Sequence, residues 1–259
     1  LSQAPETSFH HEVELSHRTG PLSLDVRFEL TKPWTVLFAP SGAGKSTILR
    51  MIAGLAAPNT GRVALRYGEQ KVVLTDTSRR IMIPPHLRAV RLVAQRPALF
   101  PNRSVILNLQ YGMPTPERNR QSLDKHFALL DSVVELCRIS PLLYKMPSQL
   151  SGGESQRVAI ARAIAAGFGR LLMLDEPFTG MDGVLRDELI AGLKEWQAKQ
   201  GAPILMVTHD IGEVFATGAE VMRMENGRIV AVGPAEIVLA AERERLLGLL
   251  GRTADPLQG

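Results

Sequence analysis

The sequence predicts an α/β core with an attached antiparallel β section and an inserted helical lobe. Three observations predict this. An apolar run, Trp34–Phe38, enters a glycine-rich loop that ends in Lys45-Ser46-Thr47, and a helical pattern leaves it. Two further runs, Leu171–Leu174 and Ile204–Val207, are apolar on both faces, as buried parallel strands are. Between Arg96 and Leu150 no alternation suggests strands, while helical periodicity is present.

At 259 residues the chain suits one core with an inserted lobe better than two large domains. We divide it into catalytic and β lobes (11–95 and 156–239), a helical lobe (96–155) and a C-terminal helix (240–259). Hydrophobic residues make up 45%, enough for a sizeable core. No apolar run reaches the length of a membrane span. The polar start, Leu1 to His11, has no signal-peptide core, and the missing initiator Met suggests a trimmed start. A single cysteine, Cys137, excludes an internal disulfide, fits a reducing compartment and reads as a small core residue. The net charge of +4 is spread along the chain, with 5% aromatic residues and no basic stripe, so no nucleic-acid partner is expected.

The elements follow in order. Residues 1–10 read as a loose arm. Val13 and Leu15 alternate, and after a Gly20-Pro21 turn so do Leu22, Leu24, Val26, Phe28 and Leu30, which gives two strands. Ser46 to Ala53 is helical, with Gly54 as its stop. Arg62 to Leu74 forms a hairpin with its tip at Tyr67-Gly68-Glu69-Gln70. Pro84-Pro85 interrupts the chain before a short strand from Arg88 to Ala94. In the lobe, prolines at 97, 101, 114 and 116 punctuate loops, and Gln121 to Arg138 is a helix. Ser151 and Glu154 have capping-box spacing at the start of a helix running to Ala166, with Gly167 as a plausible stop. Gly183 to Lys199 is another helix. After His209 come a helix, two short strands around Asn226-Gly227 and a helix over residues 235–250.

The chemistry starts at Ala39-Pro40-Ser41-Gly42-Ala43-Gly44-Lys45-Ser46-Thr47. A strand, glycine loop and helix in succession point backbone N–H groups into one concavity, and the helix dipole adds positive charge there. Ser41, Gly42, Ala43, Gly44, Lys45, Ser46 and Thr47 form the cradle. Lys45 reaches the β- and γ-phosphates and Ser46 offers a hydroxyl to Mg²⁺. The usual pattern is G-x-x-x-x-G-K-[ST], and Ala39 stands where its first glycine would be. Asp175 and Glu176 end the Leu171–Leu174 run. In a phosphate-loop protein the first carboxylate holds Mg²⁺ and the second orients the attacking water. Leu150-Ser151-Gly152-Gly153-Glu154 is a second glycine-rich helix start suited to an anion. Two such starts in one chain make sense if each copy supplies one to the nucleotide held by its partner.

With Ser155-Gln156-Arg157-Val158-Ala159-Ile160-Ala161-Arg162-Ala163 after it, this segment is highly specific. The chain resembles the nucleotide-binding subunits of ATP-binding-cassette transporters over residues 12 to 240. The resemblance implies the ABC ATPase fold, ATP and Mg²⁺ as ligands, and ATP hydrolysis. It makes Leu150–Glu154 the signature and Gln95 the glutamine that senses Mg²⁺ and the attacking water. It places the D-loop at Thr179-Gly180-Met181-Asp182, with Asp182 against the opposite monomer, and makes His209 the switch histidine on the γ-phosphate. Catalysis then falls to Glu176, His209 and Gln95, metal binding to Ser46, Gln95 and Asp175, and closure of the partner's nucleotide to Ser151 and Gly153.

The same resemblance implies a head-to-tail ATP-sandwich dimer at the cytoplasmic face of the membrane, bound peripherally to separate permease subunits and served indirectly by a substrate-binding protein. The helical lobe is the expected docking surface. Leu99 and Phe100 are either anchors for the permease or local core. The aromatic residue that the family stacks on adenine is missing, with His17 or Arg18 near its place. Pro84-Pro85-His86-Leu87-Arg88, Leu99-Phe100-Pro101, Asn108-Leu109-Gln110-Tyr111-Gly112 and Ser140-Pro141-Leu142-Leu143 are similar to molybdate importer ATPases. Sulfate, iron and thiamine importers, exporters and soluble ABC ATPases are the alternatives. The end at Gly259 leads us to expect no added regulatory domain.

Overall fold

A computed structural model describes residues 9–117, 119–166 and 171–253, with side chains to residue 248. The antiparallel section begins with β1 (Phe9–Thr19) and β2 (Leu22–Leu30), paired so that Val13 opposes Phe28 and Leu15 opposes Val26. Their apolar positions alternate, so one face is buried and the other is wet. β4 (Thr60–Tyr67), β5 (Gln70–Asp76) and β6 (Ile81–Met82) complete a five-stranded sheet in the order β2-β1-β4-β5-β6. Phe9 and His10 pair with Tyr67 and Arg66, so β1 starts earlier than the loose arm expected over residues 1–10. The first eight of those residues, like the expected stop at Gly167, lie outside the described residues.

The second sheet has six strands. β3 (Trp34–Phe38) lies beside β9 (Ile204–Thr208), β8 (Leu171–Asp175) and then β7 (Val90–Val93), all parallel. β10 (Glu220–Glu225) joins the other side of β3 in parallel, and β11 (Arg228–Pro234) closes that edge antiparallel.

The central runs are continuously apolar because each face has its own core. Leu37, Leu171, Met173, Leu205 and Val207 pack toward β1, β2 and helix α1 (Lys45–Ala53). Val36, Leu172, Leu174, Ile204 and Met206 pack on the other face against α3 (Arg120–Leu136), α4 (Gly152–Ala165) and α5 (Gly183–Gln200). Cys137 sits in this second core, fully buried.

The helical section holds one element the sequence reading missed, α2 (Val105–Gly112), with Val105 and Leu109 completely buried. At eight residues between Pro101 and Pro114 it is too short to show periodicity. Helix α4 runs unbroken across the expected 155/156 lobe boundary. After α6 (Ile211–Thr217), the expected terminal helix is two helices, α7 (Ala235–Val238) and α8 (Ala240–Thr253). They break at Leu239, whose side chain is fully buried and whose backbone leaves the helical region (φ −113°, ψ 23°). Among the described residues no helix is long and apolar enough to cross a membrane.

Candidate functional site

The loop between β3 and α1 turns on Gly42 (φ 81°) and Gly44 (φ 93°), both left-handed. A Cβ at Gly44 would also lie 2.8 Å from Leu24, so only glycine fits there. Ala39 is different. It is not among the left-handed residues, its side chain is buried and its N–H donates to Thr208 across 3.4 Å. A methyl group is accommodated, which explains the departure from the usual pattern.

Lys45 is buried, and its ammonium donates to the carbonyls of Ala39 (2.7 Å) and Pro40 (3.0 Å). Burial pushes its pKa down, and the charges of Glu176 and Asp175 push it back up. Nζ lies 3.7 Å from Glu176 Oε1.

Two carboxylates leave the end of β8. Asp175 accepts from the Ser46 hydroxyl at 3.0 Å. Its pKa is raised, first by burial and further by the Glu176 charge, while the Ser46 hydrogen bond opposes the shift. Glu176 is left-handed (φ 44°), a conformation that costs a non-glycine residue about 1–3 kcal/mol. Its own N–H is tied to the Val207 carbonyl at 2.9 Å. The turn brings three groups to its carboxylate: Gln95 Nε2 at 2.9 Å, His209 Nδ1 at 3.1 Å, and Lys45. The structure therefore joins Lys45, Ser46, Gln95, Asp175, Glu176 and His209 in one cluster.

The donor set suits a hard cation. A hydroxyl and a buried carboxylate stand together, and among the described residues no group of three or more His, Cys, Asp or Glu could form a protein-only cage. That matches a small divalent ion held partly by phosphate oxygens.

Ser151, Gly153 and Asp182 lie elsewhere. Ser151 caps α4 and is exposed. Its hydroxyl accepts from the Glu154 N–H at 3.2 Å, and Glu154 accepts from the Ser151 N–H at 2.7 Å. That backbone bond holds the Glu154 pKa below its ordinary value. A Cβ at Gly153 would stand 3.4 Å from the Gly180 carbonyl, so the start of α4 adjoins the turn before Asp182. Asp182 caps α5 by accepting from Leu185 at 2.9 Å. No hydrogen bond among the described residues links these three to the Glu176 cluster.

Four supporting residues were given no role from sequence. Arg88 is buried and donates to the carbonyls of Ile52 (2.7 Å) and Met51 (3.2 Å) at the end of α1 and of Ile83 (2.8 Å), and to the Thr75 hydroxyl (3.0 Å). Glu213 accepts from Thr208 (2.6 Å), and its N–H donates to Asp210 (3.0 Å), which fixes the turn that carries His209. The Asp210–Glu213 spacing was a readable signal, whereas a lone arginine before a strand has none. Gln156 on α4 donates to the Ala94 carbonyl (3.4 Å), and Arg162 on the same helix donates to that of Ala98 (2.8 Å), so one helix holds both sides of Gln95.

Beside that segment lies a groove of about 610 Å³ lined by Phe100, Tyr111 and Arg162. The Phe100 and Tyr111 rings meet edge-on at 4.4 Å, and Tyr111 is 62% exposed. Leu99 packs on the helical core, while Phe100 lines the groove. His17 pairs with Thr19 at 2.7 Å, and the Arg18 N–H donates to Asn59 at 2.7 Å.

A family model described as ABC transporter matches residues 24–179. A curated relative from Mesorhizobium japonicum, named Molybdenum import ATP-binding protein ModC, is 39% identical over 88% of this chain and 59% of its own length. The Molybdate/tungstate import ATP-binding protein WtpC of Thermococcus kodakarensis is 40% identical over 83% of this chain and 62% of its own. The chain thus spans about three fifths of the length of these two relatives. Among solved structures, cbiO1 from Clostridium perfringens, part of the ABC transporter complex cbiONQ, superposes with a TM-score of 0.70 at 25% identity, covering 94% of this chain and 95% of that one. A bacterial Atm1-family ABC exporter with ATP bound gives 0.73 at 19% identity over 98% and 44%, and shows the shared fold. The family match takes in both the phosphate loop and the two carboxylates at the end of β8, and with it the evidence converges: the chain belongs to the ABC transporter family.

Proposed function

We propose that this chain binds and hydrolyses ATP to drive import through a separate membrane permease. The observation that carries this is the meeting of Lys45, Gln95 and His209 on the Glu176 carboxylate, beside Ser46 and Asp175. The amides of residues 42–47 take the phosphates, with Ser41 at the mouth of the loop. Lys45 shifts from its carbonyl partners to the β- and γ-phosphates. Ser46 and Asp175, with Gln95, would hold Mg²⁺, which would draw charge from the phosphoryl oxygens. Glu176 orients and polarises the attacking water, and His209 hydrogen-bonds the γ-phosphate.

Ser151 and Gly153 serve the nucleotide of a second copy, with Asp182 at the junction. The exposure of Ser151 and Asp182, and the absence of a hydrogen bond from any of the three to their own chain's cluster among the described residues, support a head-to-tail dimer. The groove at Phe100 and Tyr111 is the seat of the permease, which puts the chain at the inner face of the membrane as a peripheral subunit. Molybdate or a similar oxyanion is the cargo, delivered by a substrate-binding protein. The names of the relatives and the likeness over Pro84 to Gly112 support this.

The test is Glu176→Gln, which retains ATP and accumulates as a dimer. A variant that stays monomeric in millimolar Mg-free ATP would falsify the sandwich. Co-purification of a permease, then ATPase stimulation by molybdate or tungstate in the reconstituted complex, tests the cargo, and no stimulation by either removes that assignment.

A further inference from the structure

A buried carboxylate stands outside the Glu176 cluster and bears on it. Glu213, in the first turn of α6, is 5% exposed. A carboxylate is costly to bury unless its oxygens are paired or hydrogen-bonded. Its Oε2 accepts from the Thr208 hydroxyl at 2.6 Å, within the range of charge-assisted bonds. The Thr208 oxygen in turn accepts from the Asp210 N–H at 3.0 Å, and the Asp210 carboxylate accepts from the Glu213 N–H at 3.0 Å.

These bonds close a ring through the residues on either side of His209. The His209 side chain is half exposed, so packing restrains it little, yet its Nδ1 lies 3.1 Å from Glu176 Oε1. The aim of that imidazole is therefore set by the backbone of the turn. The turn, in its place, is set by the ring that Glu213 closes.

The groups that face Glu213 fit this task. Burial pushes its pKa up and the Asp210 charge adds to this, while the Thr208 hydrogen bond, Arg186 and His209 pull it back. Arg186 reaches the turn from α5: a Cβ at Gly212 would stand 3.7 Å from its Nη1 and 3.0 Å from Asp210 Oδ1. We propose that Glu213 is a positioning residue for hydrolysis, aiming His209 through Thr208 and Asp210. This rests on the ATPase reading above.

The test is ATP hydrolysis and ATP titration on variants of the full chain. Glu213→Gln keeps an acceptor for the Thr208 hydroxyl and is expected to retain kcat within about threefold of wild type. Glu213→Met keeps the length without the acceptor, and kcat is expected to fall about 30-fold while the Kd of Mg-free ATP stays within about twofold. Adding Thr208→Val removes the stranded hydroxyl as well, and Tm is expected to recover while kcat does not. On a His209→Ala background Glu213→Met is expected to change kcat by less than about twofold, because the group it aims is gone. A kcat for Glu213→Met within about threefold of wild type overturns the inference. So does an undiminished loss on the His209→Ala background, or a kcat that recovers together with Tm in the double variant. Should Glu213→Met not fold, the double variant with Thr208→Val carries the same comparisons. Lys45→Ala separates the two levels. If hydrolysis is unchanged there, the ATPase reading itself fails; if it is lost there and kept in Glu213→Met, only the role of Glu213 fails.

Discussion

Arg88→Met should loosen the helix that carries the phosphate loop. Methionine keeps most of the length and the apolar stem but removes every donor. Arg88 is 2% exposed, so water does not readily replace the guanidinium. The Met51 carbonyl keeps the Gly54 N–H at 3.1 Å. The Ile52 carbonyl and the Thr75 hydroxyl each lose the bond Arg88 gave them, in buried surroundings. A stranded buried acceptor costs about 1–3 kcal/mol, so two give about 2–6 kcal/mol. Burial disfavours the arginine charge, and relief of that cost returns part of the loss. The net loss is about 2–4 kcal/mol, which for a chain of this size lowers Tm by roughly 4–16 °C. Urea unfolding followed by circular dichroism should show the midpoint fall with an unchanged slope. Arg88→Lys should recover only part, because an ammonium cannot span carbonyls on α1 and on the β section together. A midpoint for Arg88→Met within about 0.5 kcal/mol of wild type would refute the reasoning.

Three further outcomes are expected. Gly44→Ala forces a methyl group against Leu24 in a left-handed backbone and should cost about 2–4 kcal/mol with loss of nucleotide binding, read by thermal melts and titration. Ala39→Gly restores the usual loop pattern but should leave nucleotide Kd within about threefold and cost only about 1 kcal/mol, because Ala39 needs no left-handed conformation; a large gain in affinity would contradict this. Glu154 has a lowered folded-state pKa, so its contribution is present above its ordinary value of 4.5 and is lost as pH falls through the folded value. Urea midpoints for wild type and Glu154→Gln should therefore converge on the acid side, and a constant gap across that window would exclude the capping box as the source.

Strand alternation in β1 and β2, the double-faced runs of β3, β8 and β9, and the helix stop at Gly54 were all legible, because each leaves a periodic or punctuated trace. So were the residues of the Glu176 cluster, since Asp175, Glu176 and His209 sit just past apolar strands. Helix α2 and the break at Leu239 were not, because short segments carry too few residues for a period. Arg88 was hidden for another reason. Its partners are carbonyls at Met51, Ile52 and Ile83, and backbone atoms have no identity in a sequence. The left-handed turn at Glu176 was equally silent, since nothing in its side chain announces a backbone strained by its neighbours.

Helix α4 gives the molecule a lever. Its fourteen residues make a rod about 20 Å long, with Ser151 at the tip. Along its length Gln156 grips the chain just before Gln95, and Arg162 grips it just after. The groove lining at Arg162 and the serine at the tip therefore ride on one stiff part.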